Sequence, residues 1–250
     1  MSHLILEDVS VDFPIYDGSQ RSLRRALAKA SIGGTIFRRD QRHVAVRALD
    51  GISMALHDGD RVGLIGHNGA GKSTLLRVLA GLFLPTGGRI SIDGRVSPLL
   101  NLGSIIDHEM TGYENIEHAA VLLEIPARRR RTLAQEIEEF TDLGDFLALP
   151  VKTYSAGMQL RLSFALMTAQ EPEILLVDEV LGVGDSGFLK KAAARMTEFH
   201  QQTSIMVLAS HNDTQLYKLC NKAAWLEYGR VVRFGPIDEV LTAYKASCGT

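Results

Sequence analysis

Short apolar runs and longer segments with apolar residues at helical spacing alternate along the chain. Three continuous apolar runs, VGLI at 62–65, ILLV at 174–177 and SIMVLA at 204–209, are typical of parallel strands that are covered on both faces. Strands that alternate with helices in this way predict a parallel α/β sheet.

Shorter patterns predict further elements. Strands are predicted at 4–6, 9–11, 48–53, 89–92, 96–100, 223–226 and 230–232. Phe13 and Tyr16 fall in a Pro/Gly turn after the first two strands, and the last two strands flank EYG as a hairpin. A final helix is predicted at 237–246.

The middle of the chain, from about residue 102 to 153, has a helical character. One helix is predicted at 113–124, and Pro126 opens another that runs to Phe140. This region interrupts the alternation of strands, so it predicts a helical insert within the α/β sheet.

GHNGAGKST, at 66–74, follows the strand VGLI and precedes a helical pattern. It fits G-x-x-x-x-G-K-[ST], in which backbone amides and the helix N-terminus surround phosphate oxygens. Lys72 can reach the β- and γ-phosphates, and the Ser73 hydroxyl can bind Mg²⁺. The expected phosphate-binding residues are Gly66, His67, Asn68, Gly69, Ala70, Gly71, Lys72, Ser73 and Thr74. The chain is therefore expected to bind a nucleoside triphosphate.

Two other strand ends carry candidate chemistry. Asp178 and Glu179 follow ILLV, so Asp178 can hold the magnesium while Glu179 serves a water molecule as general base. His211 follows SIMVLA and can bind a γ-phosphate or align the water. YSAGMQ, at 154–159, precedes a predicted helix at 160–166 and offers a second anion site, although alone it indicates only a serine N-cap.

A basic segment at 21–47 contains one acidic residue, Asp40. Its basic residues are Arg21, Arg24, Arg25, Lys29, Arg38, Arg39, Arg42 and Arg47. Apolar residues recur at helical spacing in 22–30, which predicts a short amphipathic helix. This helix either packs on its own domain with a solvated basic face, or lies near anionic headgroups or an anionic substrate.

Composition narrows the possible classes of protein. The 250 residues suffice for one large domain or a domain with an insert, and a formal net charge of −2 argues against nucleic acid as a partner. The two cysteines are expected to be free thiols in a reducing compartment. Neither a signal-peptide pattern nor an apolar run of about 18 residues is present, so we expect a cytosolic or peripheral protein.

Together these motifs resemble the ATPase subunit of an ABC transporter. The glycine loop, YSAGMQ, ILLVDE, GVGD and SHN occur in the order of that family. The resemblance implies an α/β fold in which a RecA-like P-loop NTPase core carries N-terminal antiparallel β elements and an inserted helical lobe. The implied core lobe is 1–100 and 160–250, and the helical lobe with the signature motif is 101–159.

The resemblance also implies a head-to-tail homodimer that holds ATP and Mg²⁺ between its subunits. Ser155, Ala156, Gly157 and Met158 would form the signature that reaches the partner's nucleotide. Asp185 would line the interface, Glu179 would polarise the water and His211 would stabilise the transferring phosphate. Implied metal ligands are Ser73 and Asp178, with Asn101 at the position where related exporters often have glutamate.

A closer resemblance is to the polysaccharide exporters for O-antigen, capsule and teichoic acid. It is carried by LLNLGSIIDHEMTGYENI at 99–116, PVKTYSAGM at 150–158 and DEVLGVGD at 178–185. That group has an extended segment with an amphipathic helix before the P-loop, which 22–30 fits. Tyr154 and Ala156 depart from the general LSGGQ signature. Either Phe13 or Tyr16 would stack on adenine.

These likenesses imply an ATP-hydrolysing subunit that powers export of a lipid-linked polysaccharide through a separate transmembrane permease. The subunit would lie peripherally on the cytoplasmic face of the inner membrane. One alternative is a transporter ATPase for a lipid or a drug. A soluble ABC ATPase of translation or DNA repair is disfavoured, because the chain has one P-loop and no sustained heptads.

Overall fold

The structure is a computed structural model that describes residues 2–15, 35–40, 43–100, 105–178 and 186–247. The described residues form two compact units. One lies within Met1–Val96, Glu173–Glu179 and Ser204–Thr250, and the other within Ser97–Pro172 and Val180–Thr203. The predicted return to the core lobe at residue 160 differs from this division, because the described residues 160–172 and 186–203 group with the helical unit.

Ten strands and seven helices are described within these ranges. The strands are β1 (His3–Ile15), β2 (Thr35–Asp40), β3 (His43–His57), β4 (Arg61–Ile65), β5 (Gly87–Asp93), β6 (Val96–Leu99), β7 (Ile174–Asp178), β8 (Ile205–Ala209), β9 (Lys222–Glu227) and β10 (Arg230–Pro236). The helices are α1 (Lys72–Leu79), α2 (Gly112–Leu122), α3 (Ala127–Thr141), α4 (Ala156–Met167), α5 (Ser186–Gln202), α6 (Asp213–Leu219) and α7 (Ile237–Ser247). Two 3₁₀ turns span Gly144–Ala148 and Val151–Thr153.

The N-terminal sheet has the order β2-β3-β1-β5, and its pairs are antiparallel. The two short strands predicted at 4–6 and 9–11 are one strand, β1, whose pairing with β3 shifts register between Leu6 and Val9. Asp8 adopts φ 52° at this irregularity. The prediction that Phe13 lies in a turn is wrong, because Phe13 continues β1 and pairs with Val46 of β3.

The second sheet has the order β10-β9-β4-β8-β7 and ends at β6, whose first residue, Val96, is still part of the first unit. The pairs β4–β8 and β7–β8 are parallel, as the apolar runs predicted, and β4 also pairs with β9 in parallel. Leu64 and Asp178 both pair with Ala209 of the central strand β8. The carboxyl ends of β4, β8 and β7 therefore lie side by side at one edge of the sheet.

The helix after the glycine loop, α1, is held against this sheet by one apolar face. Leu75, Leu76, Val78 and Leu79 are buried, and Arg77 of the last turn is exposed. Each buried aliphatic side chain contributes about 1.5–3 kcal/mol. This packing fixes the direction of α1 and thereby of the glycine loop that precedes it.

The helical unit has its own apolar core. Its buried members include Ile116, Ala119, Leu133, Ile137, Leu147, Leu162 and Leu166. The helix α2 starts with a capping box between Thr111 and Glu114. The helix predicted at 160–166 begins four residues earlier, at Ala156, because Ser155 caps it by accepting a hydrogen bond from the Met158 amide. None of the helices in the described ranges combines the length and apolar character needed to cross a membrane.

Candidate functional site

The glycine loop connects the carboxyl end of β4 to the N-terminus of α1. Gly71 precedes the helix in a left-handed conformation, and its carbonyl accepts the first helical hydrogen bond from the Leu75 amide at 2.8 Å. A glycine cannot cap the helix with a side chain, so the amides of the first turn are available to an anion. The helix dipole adds to the attraction for negative charge at this point.

Lys72 is 8% exposed, and its ammonium group is directed back over the loop. Nζ donates to the Gly66 carbonyl at 2.6 Å and to the His67 carbonyl at 3.1 Å. These bonds hold the cation at the start of the loop. Phosphate oxygens carry full negative charge and are stronger acceptors than backbone carbonyls, so a bound triphosphate would take over this donor.

Gly66 has no room for a side chain. Its φ is 142°, and a Cβ at this position would lie 2.1 Å from the Leu226 carbonyl oxygen of β9. Any other residue would force β4 and β9 apart at the start of the loop. The first glycine of the motif is therefore required by the neighbouring strand as well as by the turn.

The turn between β9 and β10 supports the other end of the loop. The Gly229 amide donates to the Ala70 carbonyl at 3.0 Å, and the Asp50 amide donates to the Gly229 carbonyl at 2.9 Å. Arg230 lies 2.6 Å from the Asp50 carboxylate, and its hydrogen bond is the main reason that the pKa of Asp50 is lowered. The glycine loop, β3 and the hairpin are thus hydrogen-bonded to one another.

The hairpin contact was not predicted, although the EYG turn was. Tyr228, which precedes Gly229, lies beside the His67 ring at a centroid distance of 5.1 Å. The His67 Nδ1 also lies 2.8 Å from the Asn68 carbonyl. The only sequence signal for this contact is a glycine in a predicted turn, and a turn glycine does not show which segment the turn packs against.

We expect Gly229→Ala to destabilise the first unit and to weaken nucleotide binding. Gly229 has φ 80°, and a Cβ would lie 2.6 Å from the Ala48 carbonyl oxygen. The free energy of unfolding should fall by about 1–3 kcal/mol. Chemical denaturation and ATP titration would measure both effects.

Gly235→Ala in β10 is the matched control, because a Cβ there would have no described atom within 4 Å. Equal stability and equal ATP affinity for the two variants would show that the hairpin turn does not support the loop.

Asp178 and His211 lie at the sheet edge from which the glycine loop emerges. Asp178 is half-buried at the end of β7 and pairs with Ala209, which also pairs with Leu64 just before the loop. Adjacent strands lie about 4.8 Å apart, so the three strand ends are neighbours. The sheet therefore brings Asp178, the start of the loop and the segment that carries His211 to one place, as the strand-end pattern predicted.

The turn that carries His211 is held by its neighbours. The Ser210 hydroxyl donates to the Gln215 side chain at 2.9 Å and accepts from the Asn212 amide at 3.1 Å. The Asn212 side chain caps α6 by accepting from the Gln215 amide at 3.2 Å. His211 itself is exposed, so its ring is accessible to a ligand.

Phe13 is the one of the two candidate adenine-stacking residues that lies within the described part of the chain. It is 36% exposed, and its ring meets the Phe83 ring edge-to-face at 5.2 Å. Arg77 lies over the Phe83 ring at 5.8 Å. Phe13 thus has one supported side and exposed area that a base could cover.

The signature residues lie in the helical unit at the start of α4. Ser155 and Ala156 are exposed, and Gly157 and Met158 are half-buried. A Cβ at Gly157 would meet the Ser155 hydroxyl at 3.9 Å and nothing nearer among the described residues. No described atom of the same chain would therefore clash with a side chain at Gly157.

Four predicted site residues, Tyr16, Asn101, Glu179 and Asp185, lie outside the described residues. Their assigned roles stay predictions from the sequence.

The glycine loop, strand-end acid and parallel sheet define a P-loop ATPase, and comparison with known sequences identifies its family. A sequence model described as ABC transporter matches residues 49–182. The chain belongs to the ABC transporter family, and within it to the ATP-binding ATPase subunits.

Two relatives are named as export proteins. The chain is 47% identical over 231 residues to the "O-antigen export system ATP-binding protein RfbE" of Yersinia enterocolitica, covering 92% of this chain and 97% of that protein. It is 34% identical over 241 residues to the "Teichoic acids export ATP-binding protein TagH" of Staphylococcus haemolyticus, covering 96% and 87%.

Solved structures agree on the fold. An ATP-binding subunit of an ABC transporter superposes with a TM-score of 0.70 at 21% identity, covering 97% of this chain and 93% of that one. An ATP-binding cassette in a dimeric post-hydrolysis state with ADP and phosphate gives a TM-score of 0.66 at 19% identity, covering 94% and 98%. The predicted RecA-like core with an inserted helical lobe is confirmed.

Proposed function

We propose that this chain is the ATP-hydrolysing subunit of an exporter that moves a lipid-linked polysaccharide across the inner membrane. The observation that carries the proposal is its 47% identity to an O-antigen export protein along 97% of that protein. The glycine loop, Asp178 and His211 supply the chemistry of an ATPase at one sheet edge. A lipid or drug cargo is the alternative, and no feature of the described residues favours it.

Nucleotide binding would use the first unit. The triphosphate lies along the amides of the glycine loop, and Lys72 Nζ transfers from the Gly66 and His67 carbonyls to the β- and γ-phosphates. Phe13 stacks on the adenine and is supported from the side by Phe83. Tyr16 is the second candidate for this stacking role.

The residues at the strand ends fit Mg²⁺. Ser73 lies in the first turn of α1 and Asp178 at the end of β7, and hydroxyl and carboxylate oxygens are the ligands that Mg²⁺ prefers. Asn101 is a further candidate ligand. When bound, the ion neutralises charge on the β- and γ-phosphate oxygens.

Hydrolysis would use the residues that follow β7 and β8. Glu179 accepts a proton from the attacking water, whose oxygen bonds to the γ-phosphorus while the bond to the β–γ bridging oxygen breaks. His211 donates a hydrogen bond to the transferring phosphoryl group. The Ser210 and Asn212 hydrogen bonds keep that turn in place during the step.

The complete site would need two copies of the chain. Ser155 and the start of α4 form an exposed helix N-terminus that suits an anion, and Gly157 lets a ligand approach the backbone. In the proposed head-to-tail homodimer, this signature meets the γ-phosphate held by the partner's glycine loop, with Asp185 at the interface. ATP binds the closed dimer more tightly than the open one, and this difference in affinity drives the motion.

A separate permease would carry the polysaccharide, because both named relatives are ATP-binding proteins of export systems. The chain would attach to that permease at the cytoplasmic face of the inner membrane. Closure of the ATPase dimer would move the permease, and hydrolysis would return it.

The test is made in cells that express only the Glu179→Gln variant, with surface polysaccharide and lipid-linked glycan measured. We expect the surface polymer to be lost and lipid-linked glycan to accumulate inside. Glu139→Gln, an exposed carboxylate of α3, is the matched control and should export normally. If the purified Glu179→Gln protein has lost ATP turnover and the strain still has normal surface and internal glycan, the polysaccharide cargo is excluded. The permease that co-purifies with the chain would then identify another cargo.

A further inference from the structure

Within the helical unit, the segment before α2 is hydrogen-bonded to the segment before the signature. The Val151 amide donates to the Met110 carbonyl at 2.9 Å, and the Lys152 amide donates to the His108 carbonyl at 2.9 Å. Thr111 and Pro150 form an isolated β-bridge between the same segments. The four residues before Tyr154 thus follow any movement of 108–111.

The same segment forms a wall of a surface cavity of about 410 Å³. The cavity is lined by Ile105, Ile106, Asp107, His108, His118 and Leu122. Asn115 is fully buried and holds this wall against α2 through its side chain. The side-chain Nδ2 donates to the Asp107 and Thr111 carbonyls at 2.9 Å, and the side-chain Oδ1 accepts from the Asp107 backbone amide at 2.8 Å. The cavity wall, α2 and the segment at 150–152 therefore form one hydrogen-bonded body.

Tyr154 fastens the signature to this body. It is 6% exposed, its hydroxyl donates to the Phe146 carbonyl at 2.7 Å, and the same hydroxyl lies against Gly112 at the start of α2. A Cβ at Gly112 would lie 2.6 Å from that hydroxyl, so a glycine at the start of α2 is needed beside the tyrosine. The Tyr154 hydroxyl thus contacts both the 3₁₀ turn at 144–148 and the N-terminus of α2, and Tyr154 immediately precedes Ser155.

A packing role alone would not require the hydroxyl. A phenylalanine would fill the same volume, whereas a buried hydroxyl costs free energy unless it is hydrogen-bonded, and here it donates to the Phe146 carbonyl. The Gln159 amide lies 3.4 Å from both the Val151 and Tyr154 carbonyls and extends the connection into α4. The hydroxyl therefore sets the orientation of the first turn of α4, where Ser155 is the N-cap.

We propose that Tyr154 is a positioning residue for ATP hydrolysis, whose hydroxyl holds Ser155 in a fixed orientation relative to the cavity wall. The proposal rests on the proposed role of the signature in the partner's site. It assigns a task to the residue that replaces the leucine of the general signature pattern. Loss of the hydroxyl leaves nucleotide binding by the glycine loop intact and misplaces Ser155 when the dimer closes.

The experiment compares Tyr154→Phe with Tyr113→Phe in the full chain. Tyr113 is the matched control because it is adjacent to Gly112, yet its 41% exposed side chain donates to Glu138 and not to the Phe146 carbonyl that Tyr154 binds. The readouts are melting temperature, ATP affinity, kcat and KM, and ATP-dependent dimerisation in the Glu179→Gln background. The assays are run well below the melting temperature of each variant.

For Tyr154→Phe we expect kcat to fall about tenfold and dimerisation to weaken by a similar factor, with ATP affinity of the monomer within about twofold of wild type. Tyr113→Phe should match wild type in every readout. Unchanged kcat, or a kcat that falls only with the folded fraction, would overturn the positioning role.

Ser155→Ala separates this inference from the function on which it rests. If Ser155→Ala lowers hydrolysis and Tyr154→Phe does not, the positioning role is wrong and the signature role stands. If Ser155→Ala hydrolyses ATP at the wild-type rate, the proposed signature role is wrong and the positioning inference fails with it.

Discussion

Replacement of Glu179 by glutamine should lower ATP turnover at least about a hundredfold while ATP still binds, because general-base catalysis is worth about 10²–10⁴ in rate. Glutamine keeps the size and hydrogen-bonding capacity of the side chain but cannot accept the proton of the attacking water. The glycine loop and Lys72, which form the proposed phosphate site, are unchanged. ATP should therefore accumulate on the protein and stabilise the closed dimer.

Phosphate release under single-turnover conditions and size-exclusion chromatography with and without ATP would measure these effects. Glu139→Gln applies the same chemical change to an exposed residue and should behave as wild type. Wild-type turnover in Glu179→Gln would show that another group takes the proton, and His211 would be the next residue to test.

Lys72→Ala should weaken ATP binding by about one to two orders of magnitude, which corresponds to the loss of a charge-assisted hydrogen bond. Lys72 is almost fully buried, and its ammonium is held within 3.1 Å of two carbonyls at the start of the loop. The change also removes the donor to those carbonyls, so the loop loses an internal contact when it is empty.

Isothermal titration with ATP and with ADP would measure the loss, and denaturant unfolding would show how much of it comes from the loop itself. Lys218→Ala is the control, because it removes an exposed lysine of α6 in the same unit. Unchanged ATP affinity in Lys72→Ala would exclude the glycine loop as the phosphate site.

The existence and type of several main elements follow from local chemistry, which is why the sequence predicts them. Continuous apolar runs indicated β4, β7 and β8, and Pro126 indicated the start of α3. Local sequence patterns gave the wrong bounds where the same residues fit two different structures. The irregularity at Asp8 resembles a break between two strands in the sequence. The serine N-cap indicated at Ser155 is confirmed, but the apolar pattern places the start of its helix four residues too late.

The sequence by itself determined the chemistry of this protein: a glycine loop for phosphates, acids and a histidine after apolar strands, and a serine and glycine at a helix start. These signals lie within a few consecutive residues, and short-range backbone geometry gives them their meaning. The tertiary structure alone decided which segments meet. The Gly229 amide supports Ala70 across more than 150 residues, and Tyr154 fits against Gly112. Such contacts depend on packing between distant segments, and no local pattern encodes them.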